Sequence, residues 1–329
     1  MSKFDDDFEN SFNNDSLEKT VKKAKRKSFI RNTFIVIITL VVCIFINSIY
    51  NITSINKLDE SLDEEVESSV PTGYISKANY TAGILGGKVE YNISKNIGGR
   101  VVTLENKTKT FGINPPMVGL TKAYQDFVND DSWGVNLWDN GYRKMLFFHP
   151  KIKYKKYKND LANMEDMDDE KIIEMAISLD KAYKIDEIVD IAFDLRNLST
   201  KWIWLDTFNK QEMNEYKQEV NEYDPKSCGI NESEVKGLNY GYSYNNGNIY
   251  QGINYFNGIY NNWMDSLKES RNKDSNKLYD YLISEGKKSS KNIEILGFIV
   301  EGSKEELELL LDKSYIKGAT FGIAVDPLY

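Results

Sequence analysis

The sequence is poor in the residues that most catalytic and metal chemistry requires. Cysteine occurs twice in 329 residues, at Cys43 and Cys228. Cys43 lies inside an apolar run, so Cys228 is left alone and the rest of the chain closes no intrachain disulfide. Histidine occurs once, as His149 followed by Pro150. A metal site needs three or four ligands at set spacing, and the neighbours of His149 are aromatic and basic. A Ser/His/Asp or Cys/His set would rest on distant pairing alone. His149 therefore reads as a structural residue at a strand-to-turn corner. No phosphate-binding or dinucleotide fingerprint occurs, and Gly86-Gly87 and Gly98-Gly99 read as turns between strands. The acids Glu165, Asp166, Asp168, Asp169 and Glu170 read as a solvated loop. These absences leave no catalytic residue, no metal and no cofactor assigned, although a carboxylate pair of the glycosidase kind stays open.

Charge is missing from one long stretch. The 25 residues between Arg31 and Lys57 carry none, and the apolar part, residues 29–50, is long enough to cross a bilayer as one helix. Upstream lie Lys22, Lys23, Lys25, Arg26, Lys27 and Arg31, which read as topogenic and lipid-facing; downstream lie Asp59, Glu60, Asp63, Glu64, Glu65 and Glu67. Positive charge stays cytoplasmic, so the expected topology is a single pass, N-terminus inside and bulk outside. A cleaved signal peptide is the alternative, but the charged region before the apolar run is long and acid-containing, and no small-residue cleavage site follows. Residues 1–31 hold eight Lys or Arg against six Asp or Glu, leaving 34 against 44 beyond them. An acidic exterior argues against direct binding of nucleic acid.

The pattern divides the chain into a tail (1–28), a transmembrane helix (29–50), a stalk (51–71), a β-rich exterior domain (72–160) and an α+β domain (161–329). In the tail, Phe4, Phe8 and Phe12 recur every four residues, and Leu17 and Val21 continue an apolar stripe towards the membrane. Such a tail cannot bury a core by itself. It is either an idle solvated segment or a stripe that folds into a partner's groove. In the stalk, Ile55, Leu58, Leu62 and Val66 keep helical spacing up to Pro71.

Residues 172–179, 185–193 and 201–206 read as strand, helix, strand, and residues 293–300, 303–311 and 316–325 repeat that order with Ser303 as a helix cap. Two such units predict a split βαβ, ferredoxin-like arrangement with helices on one face of an antiparallel sheet. The overall class is α+β with a single transmembrane helix, a β-rich subdomain, and a helical and aromatic insertion over 207–290. A helix is expected at 118–128, and another at 257–287. The insertion carries Tyr240, Tyr242, Tyr244, Tyr250, Tyr255, Tyr260 and Trp263. Flat rings beside amides suit a sugar or a peptide edge, which makes these the candidate exterior ligand surface; ordinary packing is the other reading.

Three segments carry a resemblance to a known family. They are Leu17–Ile46, where a basic helix runs into the anchor; the stretch holding Gly83-Ile84-Leu85-Gly86-Gly87, Lys95-Asn96-Ile97-Gly98-Gly99 and Met145–Pro150; and Glu174–Asp206 with Gly302–Asp326. In their order and spacing they resemble the membrane-anchored anti-sigma factors of Gram-positive bacteria that carry sigma-factor-regulator N-terminal and C-terminal domains. The resemblance implies a non-enzymatic regulator whose inner tail holds an extracytoplasmic-function sigma factor at the membrane until envelope stress releases it. So short a tail leaves room for a second small membrane protein in the complex. The rival expectations are an envelope receptor or cell-wall-binding protein without a sigma partner, and a membrane-tethered wall hydrolase.

Overall fold

The computed structural model describes residues 14–116, 138–139, 142–222, 229–241 and 253–328. The helix expected at 118–128 lies outside them. Helix α1, Asn14–Ser69, is 56 residues long and unbroken. The sequence separates an anchor from a stalk helix, but no Gly or Pro falls between residues 14 and 69 to divide them, so the two join. Pro71 and the positive φ of Thr72 follow directly after its end. Leu58, Leu62 and Val66 are buried along one face of its last turns.

A three-stranded sheet follows, in the order β1 (Tyr74–Ala82), β2 (Gly86–Ile97) and β3 (Arg100–Gly112). Gly98 and Gly99, at φ +55° and +86°, make the β2–β3 turn. Gly86 and Gly87 differ from expectation. They open β2, and a Cβ on Gly87 would lie 2.2 Å from the Thr81 carbonyl oxygen, so close backbone approach accounts for glycine there. The β1–β2 turn is made one step earlier, by Gly83, Ile84 and Leu85.

Two short pairs, β4 (Trp138–Asp139) with β5 (Tyr142–Arg143) and β6 (Leu146–Phe147) with β9 (Ile230–Asn231), accompany the main sheet. That sheet has five strands: β7 (Ile172–Tyr183), β8 (Ser199–Leu205), β10 (Gly237–Asn239), β11 (Ile295–Ser303) and β12 (Ile316–Val325). Their order is β10-β8-β11-β7-β12, with every neighbouring pair antiparallel. Without the edge strand β10 this is the expected split βαβ order, in which each strand–helix–strand unit leaves room for a strand of the other.

Helices α2 (Val189–Asp194) and α6 (Lys304–Glu308) make the two crossovers. The insertion leaves after β8 and contains α3 (Lys210–Glu222), β9, β10, α4 (Ile253–Glu269) and α5 (Lys273–Ser284). The one helix expected over 257–287 is thus two, because the Asn272 side chain accepts from the Asp274 N–H at 2.9 Å and starts a new helix.

The sheet is covered on both faces. One face packs Met175, Ile177, Ile203 and Phe298 with Ile191, Leu307, Tyr260 and Leu282 from the helices. The other packs Ala176, Trp202, Trp204 and Ile299 with Phe147, Phe148, Tyr154 and Tyr216. Contacts divide the chain into two compact units, one of Met1–Asn56, Thr81–Lys88 and Thr110–Pro116, the other of Lys57–Tyr80, Val89–Lys109 and Met117–Tyr329.

Candidate functional site

Charged side chains break the apolar runs of two central strands, and these charges build a buried cluster. Glu174 on β7 and Glu301 on β11 are cross-strand partners. The Lys95 ammonium of β2 reaches Glu174 Oε1 at 3.0 Å and Glu232 Oε2 at 3.0 Å, and Lys95 is 1% exposed. Glu301 Oε2 accepts from the Gly98 N–H at 3.0 Å and pairs with Lys201 Nζ at 3.2 Å. Thr72 donates to Glu174. Lys95, Lys201, the Gly98 N–H and the Thr72 hydroxyl thus meet these buried carboxylates, and Lys144 adds its pull on Glu232. Burial pushes the Glu232 carboxyl above the usual carboxylate range; Glu174 adds to the rise, and Lys95 opposes it. Burial likewise raises Glu301 against the pull of Lys201 and Gly98. The two acids hold Lys95 protonated despite its burial.

A cavity of about 580 Å³ opens beside the last turns of α1. Its walls include Glu64 and Glu67 of α1, Lys236 and Gly237 at the sheet edge, and Trp263 and Tyr281 of the insertion helices. Lys236 Nζ donates to the Ser68 carbonyl at 3.0 Å, a cation on the exposed carbonyl end of the helix. The corner between α4 and α5 holds the same helix one turn back: Ser270 donates to Glu64 at 2.6 Å, and Arg271 pairs with Glu60 at 2.6 Å. Burial raises the Glu67 carboxyl, with Asp63 and Glu64 adding to the effect. Acids, amides and rings in one cavity can accept hydrogen bonds from a polar ligand and stack on its flat faces. Among the described residues no group of three or more His, Cys, Asp or Glu is arranged to hold a metal ion.

The sequence-derived candidates fall as follows. Phe4, Phe8 and Phe12 lie outside the described residues. Leu17 and Val21 are exposed on α1, 45% and 50% accessible, as are Lys22, Lys23, Lys25, Arg26, Lys27 and Arg31. Tyr242, Tyr244 and Tyr250 lie outside the described residues. Tyr240 and Tyr260 are buried in the core, and Tyr255 and Trp263 are partly buried against it. Tyr240 meets Tyr255 edge-on at 5.2 Å, and Tyr260 meets Trp263 at 5.7 Å. Of these four, Trp263 reaches the cavity wall. His149 is fully buried, its Nδ1 accepting from the Lys151 N–H at 3.1 Å.

The sequence reading missed Lys95, Glu174, Glu232 and Glu301. A signal was available for two of them: Glu174 interrupts the run Ile172–Leu179 and Glu301 stands at the edge of Ile295–Val300, where an unpaired buried charge is not tolerated.

Residues 18–102 match the family model described as the sigma factor regulator N-terminal domain, and residues 164–323 match that of the sigma factor regulator C-terminal domain. Comparisons with curated proteins and with solved structures give no match. Among the described residues one helix, within Leu17–Ser69, is long and apolar enough to cross a membrane. Lys95 falls in the first matched region, and Glu174, Glu232 and Glu301 in the second, so the buried cluster ties the two domains together. With both domains in order over most of its length, the chain belongs to the sigma factor regulator family of membrane-anchored anti-sigma factors, proteins that are regulatory rather than catalytic and whose partner is a sigma factor.

Proposed function

We propose that this protein sequesters an extracytoplasmic-function sigma factor through its short N-terminal tail, and that its exterior domains respond to envelope conditions. The observation that carries the reading is the unbroken helix Asn14–Ser69, which has the apolar positions Leu17 and Val21 near one end and the cavity-lining Glu64 and Glu67 near the other. The basic residues Lys22–Arg31 favour an inside N-terminus and an outside bulk. The chain divides into tail (1–28), anchor (29–50), stalk (51–71), β-rich domain (72–160) and α+β domain (161–329, with the insertion at 207–290), and each segment has its own task. Phe4, Phe8 and Phe12 with Leu17 and Val21 form the sigma-binding stripe. A second small membrane protein completes the complex where the tail alone is too short. The exterior acts by binding, at the insertion aromatics Tyr240–Trp263 and the cavity beside them, and carries no enzymatic step.

The test is co-purification. Full-length protein solubilised from host membranes is expected to retain one extracytoplasmic-function sigma factor saturably, and Phe8→Asp to lose it while remaining in the membrane. Unchanged retention in Phe8→Asp removes the phenylalanine stripe. No sigma factor retained by the wild-type protein from native membranes overturns the reading.

A further inference from the structure

The turn between β1 and β2 and the end of β3 form a small tip beside α1. Residues 81–87 and 110–116 contain no charge. Ile84 and Ile113, at 75% and 74% accessible, point away from the protein. The backbone of the tip is satisfied from within: Gly83 N–H donates to the Gly86 carbonyl at 2.7 Å, and Ile113 and Asn114 N–H both donate to the Leu85 carbonyl, at 3.0 and 3.1 Å. The Asn114 amide donates to the Ile84 carbonyl at 3.1 Å.

Two further backbone groups are met by the helix. Asn47 Oδ1 accepts from the Leu85 N–H at 2.7 Å, and Asn47 Nδ2 donates to the Gly83 carbonyl at 3.1 Å. Asn51 Nδ2 donates to the same carbonyl at 2.9 Å. Asn47 and Asn51 sit in the charge-free run that ends at Lys57, and Asn47 precedes Tyr50, the last residue of its most apolar stretch. At about 1.5 Å per residue, Asn47 lies about 4–5 Å deeper along the helix than Tyr50. An asparagine at that depth is costly unless its amide is paired, and backbone groups near hydrocarbon must be paired within the protein. Asn47 pairs both ends of its amide with the tip backbone and Asn51 pairs its Nδ2, while the buried Asn51 Oδ1 has no partner among the described residues; the two isoleucines stay exposed.

From these contacts we propose that the tip is a second membrane contact: Ile84 and Ile113 enter the lipid interface of the leaflet into which the C-terminal end of the apolar run emerges. Lipid is the occupant because the asparagine clamp fixes the tip to the membrane-spanning helix itself, at the level of Tyr50, an aromatic of the kind that marks the interface. The inference rests on the helix crossing a bilayer and is independent of which sigma factor the tail binds. The tip is then held in the membrane surface beside the helix.

The test uses the full chain with Cys43→Ser and Cys228→Ser, reconstituted in phosphatidylcholine vesicles. Ile84→Cys, Ile113→Cys and, as a water-exposed control, Val101→Cys are each labelled with an environment-sensitive fluorophore. The expected result is a blue-shifted emission at positions 84 and 113 that loses intensity when chain-labelled doxyl lipid replaces some of the phosphatidylcholine, with neither effect at 101. Emission at both tip positions equal to that at 101 overturns the proposal. Blue-shifted emission without quenching by doxyl lipid also overturns it, in favour of a protein neighbour.

Discussion

Lys95 and Glu174 form a fully buried ion pair, Nζ to Oε1 at 3.0 Å, although they belong to two different matched domains. The pair, with Glu232 as a second acid on the same ammonium, makes the three-stranded sheet and the five-stranded sheet depend on each other. Taking charges out of water is expensive, and breaking a buried pair from one side leaves the other charge uncompensated.

Removal of Lys95 is therefore far more damaging than removal of Glu232. Lys95→Met takes the shared ammonium away from Glu174 and Glu232, leaving Glu232 only the more distant pull of Lys144, and is expected to cost about 3–5 kcal/mol. Glu232→Gln leaves Lys95 paired with Glu174 and is expected to cost much less. Thermal unfolding of the solubilised full chain, followed by tryptophan emission, measures both. The Lys95→Met penalty should shrink on acidification, as Glu232, whose carboxyl burial already raises, takes up a proton. Equal penalties for the two variants would show that the cluster is not organised around Lys95.

The buried histidine gives the fold an acid sensitivity. Burial holds the His149 imidazole below its ordinary range, against the pull of Asp206 at 3.8 Å and with Lys151 and Lys317 adding to the lowering. Below about pH 6.5 the unfolded chain binds the proton that folded His149 refuses, so stability falls as pH falls through and below that value. His149→Asn removes this share, and the wild type's lead in melting temperature should narrow between about pH 7.5 and about pH 5.5. A lead that stays constant would mean that His149 titrates alike in both states.

Much of the architecture could be read in the chain, and the exceptions have local causes. The two strand–helix–strand repeats were visible because β7, β11 and β12 are rich in apolar residues, and because Ser303 and Glu306 form a complete capping box. The fusion of anchor and stalk went unread because charge changes at Lys57 while helix propensity does not. The break at Asn272 went unread because a side-chain cap interrupts a helix without a Gly or Pro to announce it. The aromatic insertion looked like a surface in composition, yet Tyr240 and Tyr260 are 1% and 0% accessible, since a tyrosine's apolar body packs as readily as it binds. The Lys95 cluster joins residues 79 and 137 positions apart, a distance at which no periodic pattern in one sequence points.

The capping box on α6 has its own consequence. The Ser303 hydroxyl accepts from the Glu306 N–H at 3.3 Å, and Glu306 returns a bond to the Ser303 N–H at 2.9 Å. Ser303→Ala is expected to cost about 1 kcal/mol of stability, and Ser303→Asp to recover most of it. Chemical denaturation with unchanged slope distinguishes this from a change in compactness. No loss in Ser303→Ala would mean that packing of Leu307 alone sets the helix.

The proposed function depends on the tail keeping a sigma factor at the membrane, and the partition of that sigma factor between membrane and polymerase is the decisive measurement. In cells making the full-length protein, the sigma factor is expected in the membrane fraction and its target promoter silent. In cells making residues 17–329, which keep the helix and both matched domains but lack the phenylalanines, it is expected with RNA polymerase and the promoter active. A sigma factor that stays in the membrane fraction with residues 17–329, its promoter silent, would contradict the sigma-binding role of Phe4, Phe8 and Phe12.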